Sequence, residues 1–184
     1  MSLRVLGGKY RGRLLEVPRS GTRPTSVMLK RRVFDALQSL DGYHFVDLCA
    51  GSGGVGIEAL SRGAEFVNFV DIGRNQVKLI EKNVTNLLGE TSSTCVEIHC
   101  MPAVNWVSRN GHLFTEKTIV FFDPPYEDEE LYFSFFESIS DLTQVSLFLI
   151  EVGNKTPFYA KIASFLMKFQ PKIIKQGDRE IFWF

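Results

Sequence analysis

Asp123, Pro124, Pro125 and Tyr126 stand at the end of a candidate strand, Thr118–Asp123, and they are the residues best suited to chemistry. The exocyclic amine of a nucleobase is a poor nucleophile, because its lone pair is delocalised into the ring. The Asp123 carboxylate and the Pro124 carbonyl can accept its two N–H groups and turn the lone pair toward an electrophilic methyl. Two prolines stiffen that carbonyl. Tyr126 offers a face on which a base can stack.

A second constellation lies upstream. Residues Phe45 to Ile57 read as a strand, a glycine-rich turn and the start of a helix, with Gly51, Gly53 and Gly56 in the pattern G-x-G-x-x-G. Glycine there allows a sharp turn and a close ligand approach, and the helix N-terminus that follows presents free N–H groups. Asp71 falls 20 residues after Gly51, at the end of the next candidate strand, where a carboxylate accepts ribose hydroxyls. This pattern fits a dinucleotide or S-adenosylmethionine (SAM). Asp47, just before the turn, favours SAM, since its carboxylate can meet the methionine ammonium and would repel a pyrophosphate.

Positioning these groups requires an alternating chain. Candidate strands are His44–Cys49, Phe66–Asp71, Cys95–Cys100, Thr118–Asp123, Ser146–Val152, Pro171–Gln176 and Glu180–Phe184. Val120–Phe122 and Leu147–Ile150 are continuously apolar, as strands buried on both faces of a parallel sheet are. Helical patterns at 56–63, 74–88, 102–109, 128–140 and 156–168 lie between. The expectation is an α/β fold, a doubly wound, mostly parallel seven-stranded sheet of Rossmann-like kind. The turn Gly177–Asp178–Arg179 makes the last strand antiparallel. Both constellations then fall on the carboxyl edge of the sheet, where ligands bind.

Residues 1–40 read differently. Arg4–Leu6 and Leu14–Val17 flank a basic turn, and Thr25 or Ser26 can cap a helix running to about Leu40. Val27, Leu29, Val33, Phe34 and Leu37 give that helix an apolar face, with Lys30 and Arg31 mostly away from it. The chain is neutral overall, yet residues 1–32 hold nine bases against the single acid Glu16. That asymmetry suggests a nucleic-acid arm, with Lys9, Arg11, Arg13 and Arg23 on phosphates. Arg11 and Arg13, two apart in a hairpin, are expected to share a face. The reading is one domain of 184 residues, 1–40 an appendage and 41–184 a catalytic core.

The composition, 45% hydrophobic and 23% charged, is globular, no apolar run spans a membrane, and three cysteines fit a reducing cytosol. His44, His99 and His112 lack ligand spacing, and strand alternation splits Cys95, His99 and Cys100, so no metal site is expected. Cys49 reads as a small residue beside the cofactor turn, and Glu127–Glu130 as a helix N-terminus.

The chain resembles bacterial 16S rRNA (guanine-N2)-methyltransferases. The resemblance rests on GGKYRGRLLEVP (7–18), TRPT (22–25), DLCAGSGGVGIEALSRGA (47–64), DPPY (123–126) and KQGDREIFWF (175–184). The glycine motif and DPPY mark class I amino-methyltransferases in general. The resemblance implies SAM as cofactor, with Ala103 beside its adenine, and guanine N2 as the target. It also implies 16S rRNA or a small-subunit ribosomal particle as partner; a cytoplasmic monomer is the separate expectation. The chain departs from the family at Ser26–Arg32, where usual carboxylates are absent, and at Met101–Pro102, where many relatives carry Asp. An adenine-N6 methyltransferase, or a non-catalytic RNA-binding or ribosome-assembly module, are the other readings.

Overall fold

The computed structural model describes residues 2–18, 27–89, 92–140, 142, 145 and 147–184. A short antiparallel pair opens the chain, β1 (Ser2–Arg4) with β2 (Leu14–Glu16), followed by helix α1 (Val27–Leu37). Then come β3 (His44–Leu48), α2 (Gly54–Ser61), β4 (Phe66–Asp71), α3 (Arg74–Leu88), the single turn α4 (Ser92–Cys95) and β5 (Val96–Cys100). The second half runs α5 (Ala103–Asn110), β6 (Thr118–Phe122), α6 (Glu129–Ile139), β7 (Leu147–Gly153), α7 (Tyr159–Leu166), β8 (Lys172–Gln176) and β9 (Arg179–Trp183).

The seven-stranded sheet has the order β5-β4-β3-β6-β7-β9-β8. Strands β3 to β7 are parallel, and β9 is antiparallel between β7 and β8, as the short turn after Gln176 requires. Every residue of β6 and β7 is buried, which accounts for their unbroken apolar runs. Successive strand residues feed opposite faces. Phe45 packs with Ile57, Phe69 and Ile80 in one apolar cluster, and Val46 and Leu48 pack with Val120, Phe135 and Ile150 in the other.

The amino-terminal segment is built into the first of these clusters through Leu3, Val5, Leu15, Leu29, Val33 and Phe34. Its polar seam is equally specific. Glu58, fully buried on α2, accepts from the Leu6 and Gly7 amides at 2.8 Å each and from Arg62 Nε at 2.9 Å. Asn83 on α3 bonds both backbone groups of Glu16 and also donates to the Ser52 carbonyl at 3.0 Å. The hairpin thus rests on the helices that carry the glycine turn.

Several expectations need correction. Helix α1 ends at Leu37, before Leu40, where Gln38 takes a left-handed φ of 62°. Lys30 is buried, not turned away, because Glu58 and the Gly54 carbonyl receive its charge inside. Val27 is 45% exposed, so the apolar face begins at Leu29. Arg11 and Arg13 lie in a turn, where strand alternation does not apply. Arg23, TRPT and the capping residues Thr25 and Ser26 lie outside the described residues.

Candidate active site

The order of the sheet reverses between β3 and β6, which pair in parallel with Leu48 opposite Phe122. A crevice forms outside the carboxyl ends of strands at such a switch point. The glycine turn leaves β3 and the Asp123 segment leaves β6, side by side.

Three alternate positions with positive φ shape the turn: Cys49, Gly51 and Gly53, at 61°, 60° and 76°. A Cβ on Gly51 would meet nothing within 4 Å, so glycine is there for its backbone conformation and an open approach. Gly56 has another purpose. A Cβ there would stand 2.3 Å from Phe69 Cε1, so its absence lets α2 lie close on β4. The Asp71 carboxylate ties the turn down, accepting from Gly51 N and Gly73 N at 2.8 Å each. Asp47 accepts from Gly56 N at 2.8 Å and is only 2% exposed. Burial pushes its carboxyl well above the usual carboxylate range, with the charges of Asp123 and Asp71 adding to the effect.

Above the turn lies a cavity of about 680 Å³. Gly51, Asp71, Ala103, Asp123, Pro124 and Tyr126, all expected at the site, line it together. Asp47, Gly53 and Gly56 stand outside its lining, and Asp47 and Gly56 are bonded to each other. Lys9, Arg11 and Arg13 are exposed on the hairpin and do not line the cavity. Asp128 caps α6 by accepting from Leu131 N at 2.9 Å, and with Glu127 it adds to an acidic wall. Cys49 also lines the cavity, its thiol pushed up by burial and then by the Asp71 charge.

Six residues escaped the sequence reading. Ile72, exposed beside Asp71, offers an apolar surface in the cavity. Leu3, Pro18 and Lys30 bring the amino-terminal segment into its wall. Lys30 stands four residues before Phe34, on the buried side of α1, which was the available signal. Arg179 lines the cavity from β9, and Glu151 holds it from β7 at 3.3 Å. No local pattern announces that pair.

Tyr126 and Glu127 also line a second cavity, of about 380 Å³, with Gly153, Lys155, Phe158 and Asp178. The Tyr126 phenol donates to Glu151, and burial raises its pKa far above that of a free tyrosine. Among the described residues no group of three or more His, Cys, Asp or Glu could hold a metal ion. No helix among them is long and apolar enough to cross a membrane.

The family model "Conserved hypothetical protein 95" matches residues 3–177. "Putative rRNA methyltransferase YlbH" of Bacillus subtilis is 35% identical over 135 residues, covering 70% of each chain. "Ribosomal RNA small subunit methyltransferase D" of Escherichia coli K12 is 32% identical over 126 residues. That match covers 67% of this chain and 60% of the relative. The chain belongs to this rRNA methyltransferase family. Among solved structures, "Putative methyltransferase yhhF" from Escherichia coli superposes with a TM-score of 0.75 at 22% identity. That superposition covers 100% of this chain and 97% of the other, and it shows the shared fold of the methyltransferase family.

Proposed function

We propose that this chain transfers the methyl group of SAM to the exocyclic N2 amine of a guanine in 16S rRNA. One observation carries the reading: Asp123 and the glycine turn, from adjacent strands, line one cavity. The donor set fits SAM. Asp71 offers further lone pairs to ribose hydroxyls, and Ile72 with Ala103 gives an apolar bed for a purine. The carboxylates of Asp71 and Asp123, both in the cavity lining, suit a cationic ligand and oppose a pyrophosphate.

Bound there, SAM supplies an electrophilic methyl on a sulfonium centre. The chain's own part is to orient and exclude. The Asp123 carboxylate and the Pro124 carbonyl accept the two N–H groups of the amine and direct its lone pair. The target base, turned out of its stack, lies against Tyr126, with the second cavity open beyond. The amine becomes acidic only as it is methylated, so its proton leaves to Asp123 or to water, and no strong base is needed. Lys9, Arg11, Arg13 and Arg23 hold the RNA backbone, and the enzyme works as a monomer in the cytoplasm on rRNA or a small-subunit particle.

Asp123→Ala tests the assignment. Methyl transfer in single turnover is expected to fall about 100-fold or more, since an acceptor aimed at the reacting amine is lost. SAM affinity, measured by calorimetry, should change far less. Near-normal turnover would remove Asp123 from the mechanism. Mass mapping of rRNA from cells with and without the protein identifies the base: a missing methyl on adenine, not guanine, would overturn the N2 reading.

A further inference from the structure

Glu151 is a charged residue in the wrong company. It lies inside β7 between Ile150 and Val152, with no exposure at all, and the packing of that strand is otherwise apolar. Burying a carboxyl group is costly where an apolar residue would serve. Its oxygen Oε1 accepts from the Tyr126 phenol and from Arg179 Nη1, the latter at 3.3 Å. Its oxygen Oε2 is buried with no hydrogen-bond partner among the described residues. The Arg179 guanidinium in turn lies over the Tyr126 ring, 5.6 Å from its centroid. Phenol, carboxylate and guanidinium therefore close a triangle. Gly153, two residues further along β7, makes room for it: a Cβ there would stand 2.7 Å from Tyr126 Cδ2.

The triangle sits where it can matter. Tyr126 lines both cavities, so its ring is part of the partition between them. We infer that Glu151 is a positioning residue for methyl transfer, clamping the Tyr126 ring against Arg179 so that the partition keeps one orientation beside Asp123. The inference rests on the transfer reading above, in which the target base lies against Tyr126. A ring free to tilt would let the amine drift from Asp123, and misplacements of about 1 Å cost on the order of 100-fold in rate. Burial, with the Asp123 charge adding to it, pushes the Glu151 carboxyl up to about 8. Its charge is therefore weakly held, and a neutral side chain of the same shape should serve in its place.

The experiment uses Glu151→Leu, Glu151→Gln, Tyr126→Phe and the double variant Tyr126→Phe/Glu151→Leu. Expected are a fall in kcat of roughly 10- to 100-fold for Leu and for Phe, with SAM affinity within about twofold of wild type. The double variant should be no worse than the poorer single, because both remove one bond. Glu151→Gln, which keeps an acceptor for the phenol, should restore kcat to within about threefold. Fluorine NMR of protein containing 3-fluorotyrosine reads the ring without SAM or RNA. The Tyr126 line, identified by its loss in Tyr126→Phe, should shift and broaden in Glu151→Leu and return in Glu151→Gln. An unmoved line, or independent multiplying effects in the double variant, would overturn the inference. Should Glu151→Leu not fold, a Gln variant as damaged as Tyr126→Phe overturns it equally. A wild-type protein that methylates no rRNA overturns the transfer reading, whereas normal transfer with an unresponsive line overturns Glu151 alone.

Discussion

Lys30 Nζ donates to the Gly54 carbonyl oxygen at 3.1 Å, joining α1 to the first turn of α2. The amino-terminal segment is therefore part of the cofactor cavity as well as a basic appendage. Lys30 is 3% exposed and 3.5 Å from Glu58, and burial lowers its pKa against the pull of that carboxylate. Lys30→Met should lower stability by about 1–3 kcal/mol, the cost of unmaking a buried charged hydrogen bond. It should also weaken SAM. Urea unfolding and calorimetry measure the two effects, and unchanged SAM affinity would reduce Lys30 to a strut.

The exposed bases should separate from this. Lys9, Arg11 and Arg13 do not line the cavity, so replacing all three with Ala should leave SAM affinity intact. Each true phosphate contact removed should reduce the slope of log K against log salt by roughly 0.7–0.9. The check is RNA affinity across a salt series; a slope equal to that of wild type would mean an idle surface.

Gly8 should be irreplaceable in the hairpin. Its φ is +72°, and a Cβ there would fall 1.6 Å from the Ser61 carbonyl oxygen, which also accepts from Lys9 N at 2.7 Å. Gly8→Ala must lift the turn from the end of α2, at a cost of roughly 1–3 kcal/mol. RNA affinity should drop although every basic side chain remains. Thermal unfolding and filter binding would report both changes.

His44 should make stability depend on pH. Asn68 Nδ2 donates to its Nε2 at 2.7 Å, which requires a neutral ring, and Asn68 Oδ1 accepts from His99 Nε2 at 2.8 Å. Burial lowers the His44 pKa below 6.5, with the nearby Glu97 opposing. Between the folded and unfolded pKa values the unfolded chain holds more protons, so stability is full above about 6.5 and declines as pH falls. His44→Gln, which keeps an acceptor, should flatten that decline in urea titrations between about pH 5 and 8.

The parts of the site legible in the sequence were those made by consecutive residues. The glycine turn and Asp123–Tyr126 are local patterns, and the apolar runs of β6 and β7 placed them on one sheet edge. What was hidden depends on partners far along the chain. Lys30 shares the Phe34 side of α1, but a lysine can be buried there only because Glu58 waits 28 residues later. Glu151 looks like an interruption in a strand until Tyr126 and Arg179 are brought to it. Asp47 stands in the sequence where a ligand-facing carboxylate would, yet its carboxylate is bonded to the Gly56 amide under the turn.

Glu58 also sets an order of events during synthesis. The Leu6 amide bonds a carboxylate 52 residues downstream, and the Glu16 amide bonds Asn83, 67 residues on. At about 5–20 residues per second, the segment waits several seconds for its seat to be made. The β1–β2 pair closes within one short stretch of chain, but it cannot be buried until α2 and α3 exist. Throughout that interval the most basic part of the protein is exposed to the RNA-rich surroundings of its own translation. Docking of the hairpin on α2 and α3 closes one side of the cavity, and Asp123, Tyr126 and Arg179 follow later still, so cofactor binding is a property the nascent chain acquires late.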